Sequence, residues 1–149
     1  MNAVRFVFLA SLAALAAFAQ TATETQHQPP GSGYAALVKD AKTRIKEINI
    51  DQYKKLSSSG EKVLVVDVRE DSEWAEGHAA PAVHMSKGVI EREIEAKVPR
   101  KDAKVVLYCG GGSRSALAAD ALQKMGYTNI FSLDGGFTAY KKAGLPTEK

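Results

Sequence analysis

The order of apolar and polar residues along the chain predicts two kinds of element. The segments "VLVVDV" (63–68) and "KVVLY" (104–108) are apolar almost throughout and rich in β-branched residues. Runs of this kind are typical of strands that are covered on both faces of a sheet. Three shorter strands are predicted for the segments "EINI" (47–50), "AVHM" (82–85) and "NIFSL" (129–133). We therefore predict a sheet of five strands.

Apolar residues at intervals of three or four predict helices between these strands. Over residues 34–46 this spacing predicts an amphipathic helix that packs on the outside of the domain. A second helix is predicted for "SRSALAADALQKMG" (113–126), with Gly126 as its C-terminal stop. The residues that we expect to face inward on it are Leu117, Ala118, Ala121, Leu122 and Met125. Further helices are predicted over 52–59, 70–77, 88–98 and 135–144, the first of them capped by Asp51.

The alternation of strands and helices predicts the fold class. Segments of this kind and spacing indicate an α/β fold, with a central, mainly parallel five-stranded sheet and helices on both faces. The helix over 34–46 precedes this unit and is an addition to it. The length of 149 residues, 45% of them hydrophobic and 25% charged, fits one globular domain with a single core.

The start of the chain differs in composition from the rest. Residues 1–19 contain one positive charge, Arg5, then an apolar run and small residues before the predicted cleavage point, which is the pattern of a secretory signal peptide. The apolar run is shorter than the roughly 20 residues of a spanning helix, although an uncleaved membrane anchor stays open as an alternative. Residues 20–33 are polar and rich in Pro, Gly, Ser and Thr, which predicts a flexible linker. We expect an exported protein, periplasmic or secreted, with no membrane contact after signal cleavage.

Charge and cysteine content exclude several classes of function. The formal net charge is +3 and the basic residues are spread along the chain, so we expect no nucleic-acid partner. The single cysteine, Cys109, cannot form an internal disulfide or build a multi-thiolate metal site. We expect no metal and no cofactor. Cys109 is therefore either a buried apolar residue in a plain turn or a reactive group.

The residues after Cys109 favour the reactive alternative. Cys109 directly follows the strand 104–108, and functional groups in such sheets gather at the carboxyl ends of the strands. The residues that follow it are Gly110, Gly111, Gly112, Ser113, Arg114 and Ser115, and we call residues 109–115 the cysteine loop. Glycine permits the backbone angles that turn successive N–H groups inward at the start of a helix, where they bind an anion. Such a cradle lowers the pKa of a thiol, and Arg114 adds a permanent positive charge.

Two nucleotide-binding motifs are excluded by the same segment. The glycines are not followed by Lys in the G-x-x-x-x-G-K-[ST] pattern of a phosphate-binding loop. They also do not form a G-x-G-x-x-G motif after a first strand, as dinucleotide-binding domains have. The loop therefore points to chemistry at the cysteine itself.

Three motifs together indicate a family. The segments "VVDVREDSEWAEGH" (65–78), "YCGGGSRS" (108–115) and "LDGGFTAYKKAGLP" (133–146) occur in the order and spacing of a single rhodanese domain, which residues 47–149 resemble. The resemblance implies a sulfurtransferase without cofactors. Its Cys109 thiolate would accept a sulfane sulfur from a small sulfur-containing anion such as thiosulfate. The resulting persulfide would then pass the sulfur to cyanide or a thiol acceptor.

The resemblance also implies roles for residues around the cysteine loop. Arg114 is expected to orient the oxyanion end of the donor. Arg69 and Lys87 are expected to extend the positive charge around the loop, although each is also a candidate for a surface or structural charge. Phe137 is expected to form a wall of the pocket, at a position where the family more often has tryptophan.

The remaining matched positions are expected to be structural. Asp67 would accept hydrogen bonds from neighbouring loops and pair with Arg69. Glu73 and His78 are expected to support the scaffold. Gly135 and Gly136 would let their turn approach the cysteine loop.

Two other functions stay open from the sequence. Phosphatases and arsenate reductases of the same fold have five residues between the nucleophilic cysteine and the arginine, so that their loop can surround a tetrahedral oxyanion. Here Arg114 stands five positions after Cys109 and Ser115 occupies the sixth, so the loop is one residue shorter. A non-enzymatic sulfur carrier or redox-sensing module, whose cysteine exchanges sulfur only with a dedicated partner, is the second alternative.

Overall fold

The computed structural model describes residues 32–149, so the predicted signal peptide and most of the predicted linker lie outside the described residues. The strands are β1 (Lys46–Ile48), β2 (Val63–Asp67), β3 (His78–Ala79), β4 (Ala82–His84), β5 (Lys104–Tyr108), β6 (Ile130–Leu133) and β7 (Thr147–Glu148). The helices are α1 (Ser32–Lys42), α2 (Ile50–Ser57), α3 (Asp71–Glu76), α4 (Ile90–Lys97), α5 (Ser113–Lys124) and α6 (Gly136–Lys142). Within this part of the chain, no helix has the length and apolar character to cross a membrane.

The central sheet has five parallel strands in the order β1-β6-β5-β2-β4. The predicted α/β fold with a five-stranded, mainly parallel sheet is therefore confirmed. Because β2 pairs with β5 and β5 with β6, the carboxyl ends of these three strands meet at one edge. Strands β3 and β7 form a small antiparallel pair apart from this sheet.

Two apolar clusters cover the two faces of the sheet. Residues alternate along β5, so that Leu107 and Cys109 belong to one cluster while Val106 and Tyr108 belong to the other. The first cluster includes buried residues of α4 and α5, and the second includes buried residues of α2 and α6. Strand β5 is thus buried on both faces, as its unbroken apolar sequence predicts.

The N-terminal helix differs from its predicted position. Helix α1 starts within the predicted linker and ends at Lys42, before Ile45, because the amides of Thr43 and Arg44 bond to carbonyls only three residues back and tighten the chain into a turn. Val38 and Ala41 are its buried residues, and the helix packs against α5.

The predicted inward face of α5 is partly wrong. Ala118 and Leu122 are buried as expected, but Leu117, Ala121 and Met125 are only half-buried. The residues that are buried in addition are Ser115, Ala116, Ala119 and Asp120. The reason is that α5 is covered by the sheet, α1 and α4 together, so a single apolar stripe does not describe its buried surface. Asp120 tolerates burial because the side chains of Arg44 and Lys124 pair with it at 2.9 and 2.7 Å.

The predicted cap of α2 is also wrong. Asn49, not Asp51, is the N-cap residue, and its side chain accepts the Gln52 amide at 2.9 Å. The Gln52 side chain accepts the Asn49 amide in return, which completes a capping box. The helix therefore begins at Ile50, and Asp51 lies in its first turn.

We expect Asn49→Ala to lower the free energy of unfolding by about 1 kcal/mol, because it removes this cap. Urea denaturation followed by circular dichroism measures the change. Asp51→Ala is the control, since Asp51 contributes its charge in the first turn and an exposed ion pair with Lys54 at 4.0 Å, and its loss should cost about 0.5 kcal/mol. An equal loss for both variants would contradict the assignment of the cap.

Candidate active site

Cys109 lies directly after β5, at the carboxyl edge of the sheet. Its side chain is buried, with 2% of the residue exposed. The start of α6 holds its backbone: the Phe137 amide donates to the Cys109 carbonyl at 2.7 Å, and the Thr138 amide donates to the Gly110 carbonyl at 3.1 Å. The cysteine loop is thus fixed to a neighbouring element rather than projecting freely.

Gly112 gives the loop its conformation. Its φ of 105° lies in the left-handed region, and its amide donates to the Cys109 sulfur at 3.1 Å. It is the residue that precedes α5, so the sulfur lies at the N-terminus of that helix, where backbone N–H groups and the helix dipole favour negative charge. Gly110 and Gly111 have no positive φ, so Gly112 is the one glycine of the three that the backbone angles require.

The surroundings of the Cys109 sulfur favour its thiolate. Burial is the largest single effect and by itself raises the pKa of Cys109. Hydrogen bonds from the amides of Ser115, Gly112 and Gly111 and from the Ser115 hydroxyl together outweigh it, so that the pKa of Cys109 lies below its ordinary value. Main-chain N–H groups of the cysteine loop therefore face the sulfur, and they shift its equilibrium toward the thiolate, which is the nucleophilic form of the side chain.

Ser115 and Ser132 form a buried hydroxyl pair beside this sulfur. The two oxygens lie 2.9 Å apart, and the Ser115 oxygen is also 3.1 Å from the Gly112 carbonyl and 3.8 Å from the Cys109 sulfur. Because Ser115 has one proton, it donates to one of these acceptors at a time, while Ser132 can donate to Ser115. The sequence analysis did not identify Ser132 as a site residue. A serine inside the apolar strand "IFSL" is a signal that could have indicated a buried polar role.

We expect Ser115→Ala to raise the pKa of Cys109, because the variant loses a hydroxyl donor to the thiolate. The pH at which the rate of alkylation by iodoacetamide reaches half its maximum should therefore move upward. Ser113→Ala is the control, since it also removes a hydroxyl from the first turn of α5. An unchanged alkylation profile in Ser115→Ala would show that the main-chain amides alone determine the thiolate.

Arg114 lies beside the loop, but it is paired. Its guanidinium donates to both carboxylate oxygens of Glu73, at 2.6 and 2.9 Å, and lies 3.5 Å from the Glu70 carboxylate. Hydrogen bonds from Arg114 lower the pKa of Glu73 to about 2. Glu73, which the sequence suggested as a scaffold residue, is thus a partner of the arginine at the loop. Glu70 was missed by the sequence analysis.

Arg69 does not extend the positive charge around the loop as predicted. It is 5% exposed and forms a buried pair with Asp67, whose carboxylate accepts from the guanidinium at 2.6 Å and from the Arg69 amide at 2.9 Å. The guanidinium also donates to the Gly77 carbonyl at 2.8 Å. The expected pairing of Asp67 with Arg69 is present, and its consequence is that the arginine charge is neutralised in the interior.

Lys87 and Phe137 also have partners of their own. The Lys87 ammonium lies 2.8 Å from the Glu91 carboxylate, so its charge too is paired. Phe137 is 7% exposed, and its ring lies 4.2 Å from the Arg69 guanidinium carbon and packs against Tyr108. The phenylalanine is therefore packed in the cluster on the opposite face of the sheet from the Cys109 side chain, and its role as a pocket wall stays a prediction.

Two histidines support the helix that carries Glu73. The rings of His78 and His84 stack on Trp74 of α3, with centroids 3.3 and 5.0 Å away. His84 is also bonded to the Arg69 carbonyl at 2.9 Å, and His78 to the Trp74 carbonyl at 3.2 Å. These contacts fix α3 against the sheet.

The Gly135-Gly136 turn packs directly on the cysteine loop. Both residues have positive φ, 71° and 50°. A Cβ atom on Gly136 would lie 2.2 Å from the Cys109 carbonyl oxygen, closer than any real contact. The structure thus brings this turn and the cysteine loop together at a distance that only glycine permits.

Comparison with known proteins agrees with this fold. The sequence model of the family described as rhodanese-like domain matches residues 49–143 of this chain. A sulfurtransferase from Allochromatium vinosum is 33% identical over 102 residues, which cover 68% of this chain and 94% of the relative. A solved structure from Rhodopseudomonas palustris is also similar; it is described as a protein of unknown function and possible tyrosine phosphatase. Its sequence is 32% identical, the TM-score is 0.70, and the match covers 81% of this chain and 98% of that one.

The polysulfide-sulfur transferase homodimer of Wolinella succinogenes is a further structural neighbour. It is 25% identical with a TM-score of 0.66, and the match covers 78% of this chain and 88% of that one. The match to the domain model spans more than half of the chain and includes Cys109 and the segments on either side of it. The chain therefore belongs to the family of rhodanese-like domains.

Proposed function

We propose that this protein is a sulfurtransferase that carries a sulfane sulfur on Cys109 as a persulfide. The donor is a small sulfur-containing species such as thiosulfate, and the acceptor is cyanide or a thiol. The observation that carries the proposal is the Gly112 amide 3.1 Å from a sulfur whose pKa is lowered by its surroundings. Membership of a family with sulfurtransferase relatives supports it.

The first half-reaction is an attack of the Cys109 thiolate on the outer sulfur of the donor. A bond forms between the two sulfurs, and the sulfur–sulfur bond of thiosulfate breaks so that its electron pair leaves with sulfite. The product is a Cys109 persulfide anion. One negative charge stays on the protein throughout. The amides of Gly111, Gly112 and Ser115 stabilise it on the Cys109 sulfur before the attack, and it lies on the outer sulfur of the persulfide afterwards.

The second half-reaction returns the free cysteine. The acceptor, cyanide or a thiolate, attacks the outer persulfide sulfur, and the electron pair of the breaking bond returns to Cys109. Gly111 is exposed and a Cβ atom built on it would meet no atom within 4 Å, so an acceptor can approach the loop at this residue. Neither step requires a metal or a redox partner. In each step one bond to the transferred sulfur forms as another breaks, and the leaving group keeps the electron pair of the broken bond.

The loop geometry argues against the phosphatase alternative. A phosphate would need the arginine of the loop as a ligand, and here the Glu73 carboxylate already neutralises Arg114 and takes one N–H of each outer nitrogen. The interval from Cys109 to Arg114 is also one residue shorter than phosphate-binding loops of this fold require. We therefore favour sulfur as the transferred group.

Steady-state kinetics with thiosulfate and cyanide test the proposal. We expect thiocyanate to form, with parallel double-reciprocal lines that indicate a covalent intermediate. Hydrolysis of a small aryl phosphate in place of thiocyanate formation would support the phosphatase. Absence of both reactions, together with sulfur exchange only with a protein partner, would support a non-enzymatic carrier.

Export is a separate proposal, supported by the signal-peptide pattern of residues 1–19. A thiol in an oxidising compartment needs protection, and burial of Cys109 to 2% exposure provides it. N-terminal sequencing of the protein recovered outside the cytoplasm tests this proposal. A first residue near position 20 is expected, and an intact N-terminus in the cytoplasmic fraction would contradict it.

A further inference from the structure

We propose that Glu73 selects the charge class of the sulfur donor. By neutralising Arg114, its carboxylate favours sulfane donors with little negative charge over the thiosulfate dianion. This inference rests on the proposed sulfurtransferase function and names the substrate class of the same site.

The geometry of the Arg114–Glu73 pair leaves an incoming anion little to bind. The two carboxylate oxygens occupy both outer nitrogens of the guanidinium, at 2.6 and 2.9 Å, in the fork-to-fork arrangement that gives the strongest such pairs. The oxyanion end of a donor could use only the remaining N–H groups of a guanidinium whose positive charge is already matched by a carboxylate. The Glu73 carboxylate also accepts the Glu70 amide at 3.1 Å, which fixes it on α3.

The charges around the pair add a second reason. The Glu70 carboxylate lies 3.5 Å from the same guanidinium, so two acidic groups surround one basic group. We call Arg114, Glu73 and Glu70 the acidic rim. The other predicted cations are neutralised elsewhere, Arg69 by Asp67 and Lys87 by Glu91. A dianion that approaches the Cys109 thiolate therefore comes close to the net negative charge of the acidic rim. The electrostatic repulsion increases with the negative charge of the donor.

The space over the cysteine loop suits an uncharged substituent on the donor. Gly111 is exposed and a Cβ atom on it would reach no neighbour within 4 Å, whereas Gly110 lies against Arg114 and Gly112 is buried against the Gly135 turn. A small organic substituent of the donor can therefore lie beside Gly111, where thiosulfate would place a charged oxygen. Persulfidic or thiosulfonate sulfur attached to an organic group meets both conditions, low charge and free space.

Two donors of matched chemistry separate charge from reactivity. Methanethiosulfonate has a methyl group where thiosulfate has a charged oxygen, so it is a monoanion rather than a dianion. With each donor, the Cys109 thiolate bonds to the outer sulfur and the donor's sulfur–sulfur bond breaks, releasing methanesulfinate or sulfite. The measured quantity is the ratio of kcat/KM for methanethiosulfonate to kcat/KM for thiosulfate, with cyanide as the acceptor.

The test variant is Glu73→Gln, which keeps the length of the side chain and an oxygen for Arg114 while removing the negative charge. We expect the ratio to fall about 5-fold to 10-fold, because the freed arginine charge attracts the dianion more than the monoanion. Asp71→Asn is the matched control: it removes an equal charge from the same helix, where Asp71 lies 3.6 Å from His84 instead of at Arg114. We expect its ratio to stay within about 2-fold of that of the wild type.

A second variant keeps the test decisive if Glu73→Gln unfolds. Glu70→Gln removes the weaker, exposed carboxylate of the acidic rim and should lower the ratio in the same direction by a smaller factor. An unchanged ratio in a folded Glu73→Gln, or an equal fall in Asp71→Asn, would overturn the inference while leaving sulfur transfer intact. Absence of thiocyanate with both donors in the wild type would overturn the proposed function itself.

Discussion

Replacing Cys109 with serine is expected to remove sulfur transfer, with a loss of more than about a thousandfold in kcat/KM. A serine hydroxyl has too high a pKa to form the anion near neutral pH, and it forms no persulfide. The chain has no other cysteine that could take over the reaction. Thiocyanate formation from a sulfane donor and cyanide measures the effect.

The fold of the Cys109→Ser variant should be retained. Serine has nearly the shape of cysteine, and its oxygen can accept the Gly112 amide that the sulfur accepts in the wild type. Circular dichroism and the thermal midpoint provide the control for folding. Wild-type turnover by a folded Cys109→Ser protein would show that the sulfur passes through some other group.

Gly136→Ala is expected to cause the largest loss of stability among the variants, about 2–4 kcal/mol, and to lower activity strongly. The added Cβ atom would lie 2.2 Å from the Cys109 carbonyl oxygen and 2.9 Å from the carbonyl group of Gly110. These neighbours are backbone atoms that no rotamer change can move. Either the turn or the cysteine loop must shift, and the 2.7 Å hydrogen bond from Phe137 to Cys109 would then be broken.

Gly144→Ala separates the clash from the backbone strain. Gly144 also has a positive φ, 67°, but a Cβ atom there would meet nothing within 4 Å. The control should therefore lose about 1 kcal/mol with its activity unchanged. Urea unfolding and thiocyanate formation are measured for both variants. Equal losses of stability and activity in the two variants would mean that the contact between the turn and the loop has no importance.

The central part of the fold could be predicted from local sequence. The apolar, β-branched segments that became β2 and β5 are distinctive because both faces of these strands are buried. Once they are parallel neighbours, Cys109 must lie at the carboxyl edge of the sheet, next to the end of β2. The sequence did not distinguish Gly112 from Gly110 and Gly111, and the close approach of Gly136 was implied by the family resemblance rather than by a local pattern.

The pairing of charges could not be predicted in this way. Arg114 and Glu73 are 41 positions apart in the chain, and their contact depends on how α3 packs beside the cysteine loop. The stacking of His78 and His84 on Trp74 places that helix, and no periodicity in the sequence encodes it. The sequence therefore suggested that Arg114 is free to bind an anion, whereas in the folded chain its guanidinium is paired with the Glu73 carboxylate.

The end of α1 and the cap of α2 show a second limit, which is local competition. Asn49 and Asp51 are both good capping residues, but only Asn49 has Gln52 three positions later to complete a reciprocal pair. The apolar spacing of residues 34–46 continues through Ile45, yet the backbone turns at Thr43 and Ile45 packs on the core from outside the helix. Side-chain hydrogen bonds to backbone amides decide the cap of α2, and hydrogen bonds within the backbone decide the end of α1.

Intact-mass spectrometry of the wild-type protein after exposure to a sulfane donor is the most direct test of Cys109 as the sulfur carrier. After removal of excess donor, the protein should have gained the mass of one sulfur atom, located on the peptide that contains Cys109. Added cyanide should remove this mass and release an equal amount of thiocyanate. Thiocyanate formation by a protein that never gains this mass, or a sulfur bound to another residue, would contradict the account.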